Sequence, residues 1–261
     1  MKIVIFASGS SGNCMLLSKG ETHLLIDAGI SMRRLEKSLS QAYLTVGDIG
    51  GVLITHEHSD HISGLKMLLK RYDLPVYAPR TVAARLRGML PDIDDMLNVI
   101  PVGRPFKLEG VTVTAFHTPH DTDESVGYRI DGDGSFGIAT DMGHVTDEIR
   151  GALCGADTVL IESNHDPEML CYGSYPVYLK RRILSERGHL SNSDCAELAA
   201  YLADNGTKKI ILGHLSRENN EPEIAMSENG RALAEKGTEL YCAPDFGFLE
   251  LDVKEKGKCF L

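Results

Sequence analysis

The sequence predicts an α/β fold: one domain, residues 1–261, with two β-rich halves. Three observations predict it. Short apolar runs separated by turn residues recur through the chain, as buried strands do. From residue 158 onward such runs alternate with amphipathic stretches, the pattern of strand–helix units. Glycine and proline are scattered, so no linker divides the chain, and no solenoid repeat appears.

Taken in order, residues 2–6 read as a strand, 7–13 as a glycine–serine loop and 14–17 as the next strand. Successive N–H groups in such a loop can cradle an anion, or the loop can simply turn a hairpin. Residues 22–26 form a strand ending in Asp27-Ala28-Gly29. Ser31 is placed to cap a helix over 31–39. An apolar strand at 52–54 leads through a loop into a helix over 61–71. A strand at 74–77 precedes a helix over 81–90, whose arginines read as a solvated face. Strands follow at 98–100, 106–108, 111–116, 125–130 and 135–139. Asp131-Gly132-Asp133-Gly134 joins the last two and is a strong hairpin signal. Then come strand 158–162, helices 178–186 and 193–204, strand 209–212 and a helix over 221–236 that breaks at Gly237. Strands at 239–242 and 248–251 close the chain.

The loop after strand 52–54 carries the chemistry. In Thr55-His56-Glu57-His58-Ser59-Asp60-His61, four potential metal ligands fall within six residues. Alternate residues at a strand end point the same way, so His56 and His58 can reach one ion. Asp60 and His61 lie at the turn into the helix and can face a second. Imidazole with carboxylate suits Zn²⁺, Mn²⁺ or Fe²⁺. A polar loop merely capping a strand is the plainer alternative, but ligand spacing and strand–loop–helix context agree against it.

Further candidates sit at later strand ends. His120 lies past strand 111–116 and is favoured over His117, which reads as a strand residue or a supporting partner. Asp141 follows strand 135–139, where a carboxylate can bridge two metals about 3.5–4 Å apart. His214 follows strand 209–212. Asp27 can orient a ligand histidine or cap the next segment. Glu162-Ser163-Asn164-His165-Asp166 and Gly188-His189-Leu190-Ser191-Asn192 each place a histidine where it can line a cleft or be structural. His23 and His144 read as peripheral.

Bulk properties bound the rest. The net charge of −10 disfavours a surface that grips long nucleic acid everywhere, though not a small cationic cleft. Six cysteines without a Cys-x-x-Cys pair read as reduced thiols, and the expected compartment is cytoplasmic. The opening residues are too short an apolar run for a signal peptide, and no membrane contact is expected. Nothing in the sequence sets an oligomeric state.

The His56–His61 segment resembles the H-x-H-x-D-H signature of the metallo-β-lactamase superfamily, with Asp27, His120, Asp141 and His214 in that family's motif order. The resemblance implies an αββα sandwich with a dinuclear site at the sheet edges, holding two divalent ions, Zn or Mn, with Fe as an alternative. It implies one site of His56, His58, His120 and Asp141 and a second of Asp60, His61, Asp141 and His214. Ser8 to Asn13, the Glu162 and His189 segments and His214-Leu215-Ser216-Arg217-Glu218-Asn219-Asn220 together are similar to the WalJ/YycJ/VicX group, a nuclease-like branch. The late segment also resembles ribonucleases J and Z. However, too few residues separate Asp141 from His189 for an inserted cap domain, and no long arm for transfer RNA is evident.

The implied function is metal-dependent phosphodiester hydrolysis, as a 5′-to-3′ exonuclease on single-stranded DNA ends, with RNA as a further substrate. The resemblance also links it to DNA repair or cell-wall two-component regulation. Metal coordination would lower the pKa of the attacking water, which Asp60 would orient. His189 and His165 would donate to the phosphate or the leaving oxygen. Ser10, Ser11, Asn13, Glu162 and Asn192 are the candidate substrate contacts. Lys180-Arg181-Arg182 and Arg187 can form a basic rim or a solvated helix face. Thioester or lactone hydrolysis, and a non-enzymatic regulatory role with structural metals, are the competing readings.

Overall fold

The computed structural model describes residues 1–254; Cys259 lies outside the described residues. In chain order the strands are β1 (Lys2–Ala7), β2 (Cys14–Lys19), β3 (Thr22–Ile26), β4 (Gly51–Leu53), β5 (Val76–Pro79), β6 (Leu97–Ile100) and β7 (Phe106–Leu108). They continue as β8 (Val111–His117), β9 (Val126–Asp131), β10 (Ser135–Ala139), β11 (Thr158–Glu162), β12 (Lys209–Gly213), β13 (Glu239–Cys242) and β14 (Leu249–Asp252). The helices are α1 (Met32–Gln41), α2 (Ser59–Ile62), α3 (Leu65–Arg71), α4 (Arg80–Met89) and α5 (Asp147–Leu153). They are followed by α6 (Pro167–Tyr172), α7 (Val177–Ile183), α8 (Asn192–Asp204) and α9 (Pro222–Ala232).

Two seven-stranded sheets result, in the orders β14-β1-β2-β3-β4-β5-β6 and β13-β12-β11-β10-β9-β8-β7. Each follows the same plan. Strands pair antiparallel through β14-β1-β2-β3 and through β7-β8-β9-β10. Beyond them, β3 to β6 and β10 to β13 pair in parallel. Alternation along a strand explains why so many of these runs are apolar on both faces. In β1, Ile3 and Ile5 pack between the sheets, whereas Val4 and Phe6 face the helices outside the first sheet. The core between the sheets joins Met15, Leu17 and Leu53 to Tyr128, Phe136 and Leu160. One outer core packs Leu35, Leu68 and Val82 of α1, α3 and α4 on the first sheet. The other packs Ile149, Leu198 and Ala225 of α5, α8 and α9 on the second. The layers are therefore αββα. Each fully buried Leu or Ile contributes about 1.5–3 kcal/mol, which gives the loops at the sheet edges a stiff base.

The predicted helix over 61–71 divides into α2 and α3 at Ser63-Gly64. The reason is a close backbone approach. The Gly64 amide donates to the Ala28 carbonyl at 2.8 Å. A Cβ on Gly64 would lie 2.0 Å from the Ile30 carbonyl oxygen. Gly64→Ala is therefore expected to destabilise the fold by about 2 kcal/mol or more, read as a lower denaturation midpoint at unchanged slope. The predicted helices over 178–186 and 221–236 end earlier, at Ile183 and Ala232. Sequence reasoning missed α5 and α6, although both carry start signals: Thr146 accepts from the Ile149 amide, and Asp166 caps α6 with Pro167 in its first turn.

Candidate metal centre

The parallel strands of both sheets deliver their carboxyl ends to one edge of the sandwich, where α/β sheets place ligands. Asp27 follows β3, the His56–His61 loop follows β4, Asp141 follows β10 and His214 follows β12. Glu162 ends β11 and His120 lies beyond β8. Asp27, Asp141 and His214 have φ of 60°, 57° and 55°. Left-handed backbone is costly for residues with a Cβ, and its concentration here turns each side chain off its strand toward a shared point.

The ligand loop is laced to its neighbours by backbone. The Asn13 amide donates to the Asp60 carbonyl at 2.7 Å, and the Ala28 amide to the His61 carbonyl at 2.8 Å. Tyr128 from the second sheet donates its hydroxyl to the Ile54 carbonyl, just ahead of the loop. Buried Asp27 accepts from the Thr55 amide at 2.9 Å and from His61 Nδ1 at 2.7 Å. That bond fixes the His61 tautomer and turns Nε2 toward Asp60 and Asp141, at 3.4 and 3.2 Å.

Among the described residues four donor groups overlap here, and two of them match the expected ligand sets. His56, His58 and His120 converge, with His120 Nε2 3.2 Å from His58 Nδ1 and 3.6 Å from Asp141 Oδ1. Asp60, His61 and His214 converge beside them, with His214 Nε2 3.6 Å from Asp60 and 3.5 Å from Asp141. Asp141 reaches into both. His56 Nε2, His214 Nε2 and Asp141 Oδ2 are buried without a hydrogen-bond partner. Orphaned buried polar atoms are expensive, and their convergence fits a divalent cation. Protonation follows the same pattern. Burial, then the neighbouring His61, hold His56 well below the usual imidazole range; burial also lowers His120. Both rings are thereby kept in the neutral form that binds metal. Burial opposes the proton on His61 and on His214, yet the carboxylates of Asp27 and Asp141 at the first and of Asp141, Asp60 and Glu162 at the second raise them. Burial works against ionisation of Asp141 and Asp60 too, and the histidines overcome it.

Glu162 was expected to contact substrate, and the structure corrects this. It is fully buried. Its Oε1 accepts from His189 Nδ1 and His214 Nδ1, each at 2.8 Å, and its Oε2 from the Met142 and Leu190 amides at 3.0 and 3.1 Å. Four donors already occupy its lone pairs, and it also lies with Asp141, His189 and His214 in a further group of converging donor atoms. Asn192 is likewise buried, bound to Ser163 and Asn220, so it cannot meet substrate. The side chain of Asn13 is turned inward, donating to the Gly9 carbonyl at 3.1 Å and lying 3.0 Å from His61 Nε2, rather than offered to solvent. His165, expected to be catalytic, is 1% exposed and belongs to no donor set, and its backbone bridges to Ser191.

Other candidates do reach the opening. His189 is partly exposed and lines a cavity of about 230 Å³ with Ser10, Asp121, Asn164, Tyr175 and Arg182. Ser11 is exposed in the same loop as Ser10. Arg187 donates to the His120 carbonyl at 2.6 Å and Arg182 pairs with Asp121, so the basic residues brace the His120 loop. His117 lies apart, exposed and 3.2 Å from Glu148. Sequence reasoning missed Asp121, whose Oδ1 is 3.3 Å from His120 Nε2; its position directly after His120 is the available signal.

A family model described as the beta-lactamase superfamily domain matches residues 22–215, most of the chain. The chain belongs to the metallo-β-lactamase superfamily. Within it, Exodeoxyribonuclease YycJ of Bacillus anthracis is 40% identical over 235 residues, 89% of each chain. Exodeoxyribonuclease WalJ of Streptococcus pneumoniae is 40% identical over 228 residues, 86% of this chain and 85% of the relative. These place the chain in the WalJ/YycJ branch of the superfamily. Among solved structures, the metallo-β-lactamase fold protein YhfI from Bacillus subtilis matches with a TM-score of 0.73 at 17% identity, covering 96% of this chain and 98% of that one. Zn²⁺-bound PqqB from Methylobacterium extorquens matches at 0.71 and 21% identity, covering 97% and 100%. Both share the superfamily's αββα fold.

Proposed function

We propose that the protein is a metal-dependent nuclease that shortens single-stranded DNA from its 5′ end, with RNA as a further substrate. The observation that carries this reading is the identity of 40% over 89% of the chain to a relative named an exodeoxyribonuclease. The converged donor sets agree with it. His56, His58, His120 and Asp141 would hold one divalent ion, and Asp60, His61, Asp141 and His214 a second. Zn²⁺ and Mn²⁺ suit these donors best, and Fe²⁺ is the alternative. When bound, the ions would supply Lewis acidity and an ionised water at neutral pH.

The chain's own residues do the rest. Asp60 is partly exposed at the rim of the donor sets and can accept a hydrogen bond from the attacking water. His189 donates Nδ1–H to buried Glu162, which leaves Nε2 as the atom that carries a proton to the leaving oxygen. Ser10 and Ser11 stand at the opening, available to a neighbouring phosphate. Free Cys14, Cys154, Cys171, Cys195 and Cys242 fit a reducing compartment, the cytoplasm. No helix among the described residues is long and apolar enough to cross a membrane.

The test is digestion of single-stranded DNA and RNA, labelled at either end, with Mn²⁺ or Zn²⁺ added. Early release of short labelled products from the 5′-labelled strand is expected, with a 3′ label retained on progressively shorter chains. A thioester or lactone turned over with no nucleic acid cleaved would overturn the reading.

A further inference from the structure

We infer that residues 172–184 form an aromatic and basic platform on which the single strand lies as it leaves the active-site cavity. This rests on the nuclease reading above and adds where the strand runs.

Of the nine large hydrophobic side chains exposed among the described residues, four fall in this one segment. Tyr172 is 86% exposed, Tyr178 75%, Val177 65% and Leu184 61%. Single exposed apolar residues are ordinary, but a group of them beside a candidate site is not. The segment is also basic in an acidic protein. Lys180, Arg181 and Arg182 lie within it, and no acidic residue falls between Glu168 and Glu186. Helical spacing sorts these residues on α7 and its C-terminal cap, Leu184. Ile183 points inward, while Val177, Tyr178, Arg181, Arg182 and Leu184 are all exposed.

The platform is rigid and continuous with the cavity. Lys180 Nζ donates to the Cys171 and Gly173 carbonyls at 2.7 and 2.8 Å, which locks the corner between α6 and α7. Arg182 pairs with Asp121 beside His120. Tyr175, Leu179 and Arg182 form one wall of the cavity that His189 also lines. With Lys180 and Arg182 engaged in structure, Arg181 is the exposed cation left for a phosphate. Exposed rings and a cation in one short segment that also walls a hydrolytic cavity fit unpaired bases and their backbone. Every base offers a face for stacking, so such a surface binds a strand without reading its sequence. A duplex keeps its base faces stacked on one another and gains nothing from these rings.

The experiment compares the wild type with Tyr172→Ala/Tyr178→Ala on two substrates: an oligothymidylate long enough to extend beyond the cavity, and a small aryl phosphodiester with no strand attached. In the alanine variant, KM for the oligonucleotide is expected to rise about tenfold or more, as loss of base stacking predicts. The preference for oligonucleotide over aryl ester, as a ratio of kcat/KM, should fall with it. Tyr172→Phe/Tyr178→Phe, which keeps the rings, should stay near wild type. Independently, Arg181→Ala should reduce the slope of log KM against log salt by about 0.7, one single-strand phosphate contact. If the wild type digests the oligonucleotide and neither KM nor the salt slope moves in these variants, the platform is wrong while the nuclease reading stands. If the tyrosine variant instead loses binding to phosphatidylglycerol vesicles with its oligonucleotide KM unchanged, the surface serves a membrane and the inference is overturned. If the wild type cleaves no nucleic acid, the nuclease reading falls and the platform with it.

Discussion

Asp141→Ala is expected to lower phosphodiester hydrolysis by about a thousandfold or more while leaving a folded protein that retains less metal. The carboxylate is buried at the centre of the donor sets, 3.2 Å from His61 Nε2, 3.6 Å from His120 Nε2 and 3.5 Å from His214 Nε2. One carboxylate thus lies within 3.6 Å of both His120 and His214, which belong to different donor sets. A metal supplies several kcal/mol to a phosphoryl transition state. At about 1.4 kcal/mol per tenfold, losing most of that gives the stated drop. The fold should survive, because β10 is anchored by Phe136, Ile138 and Ala139, which are buried between neighbours on both faces. Metal content per chain, circular dichroism and the hydrolysis rate check the three parts separately. A variant with wild-type rate and wild-type metal content would remove Asp141 from the mechanism.

The arrangement of strands was largely legible, because burial on both faces of β1, β2, β11 and β12 leaves an apolar run that a chain of this length has few ways to hide. The His56–His61 segment was legible for a different reason. Four donors close in sequence need only a strand end and a turn to bring them close in space. Asp141 and His214 were also readable as strand-end residues. What no local pattern carries is their backbone: the left-handed φ of Asp27, Asp141 and His214 decides where those side chains point. It is held by contacts from distant segments, such as the bond from the His214 amide to Ser8 Oγ at 2.9 Å.

The misread residues share one cause. Glu162, Asn192 and His165 follow or precede buried strands and helices just as the donors do, so their position and the family resemblance together suggested the cleft. Whether a polar residue after a strand faces the cleft or the interior depends on which partners another segment supplies. For Glu162 these come from residues 20 to 52 positions away. The same holds for Asn192, whose amide meets Asn220. A sequence reading sees the polar residue but not its remote donors.

Those donors give Glu162→Gln a loss of its own, split between metal affinity and rate. The Met142 and Leu190 amides can only donate, so the glutamine oxygen must turn toward them. Its NH₂ group then faces His189 Nδ1 and His214 Nδ1 and can give one hydrogen to each. Both rings would have to become acceptors at Nδ1 and carry their proton on Nε2. In His214 that proton occupies the lone pair facing Asp60 and Asp141, the one a cation would need. Metal affinity is expected to fall about 10–100-fold, the cost typical of losing such a supporting carboxylate. His189 also loses the anion that helps it hold a second proton, so the rate at saturating metal should fall by about 100-fold as well. Because every hydrogen bond around residue 162 is remade, the fold should lose little stability. Calorimetric metal titration, rates at saturating metal and ¹⁵N shifts of labelled histidine separate these effects. A ring reporting Nδ1–H in the variant, with unchanged metal affinity, would show that Glu162 does not set the tautomer.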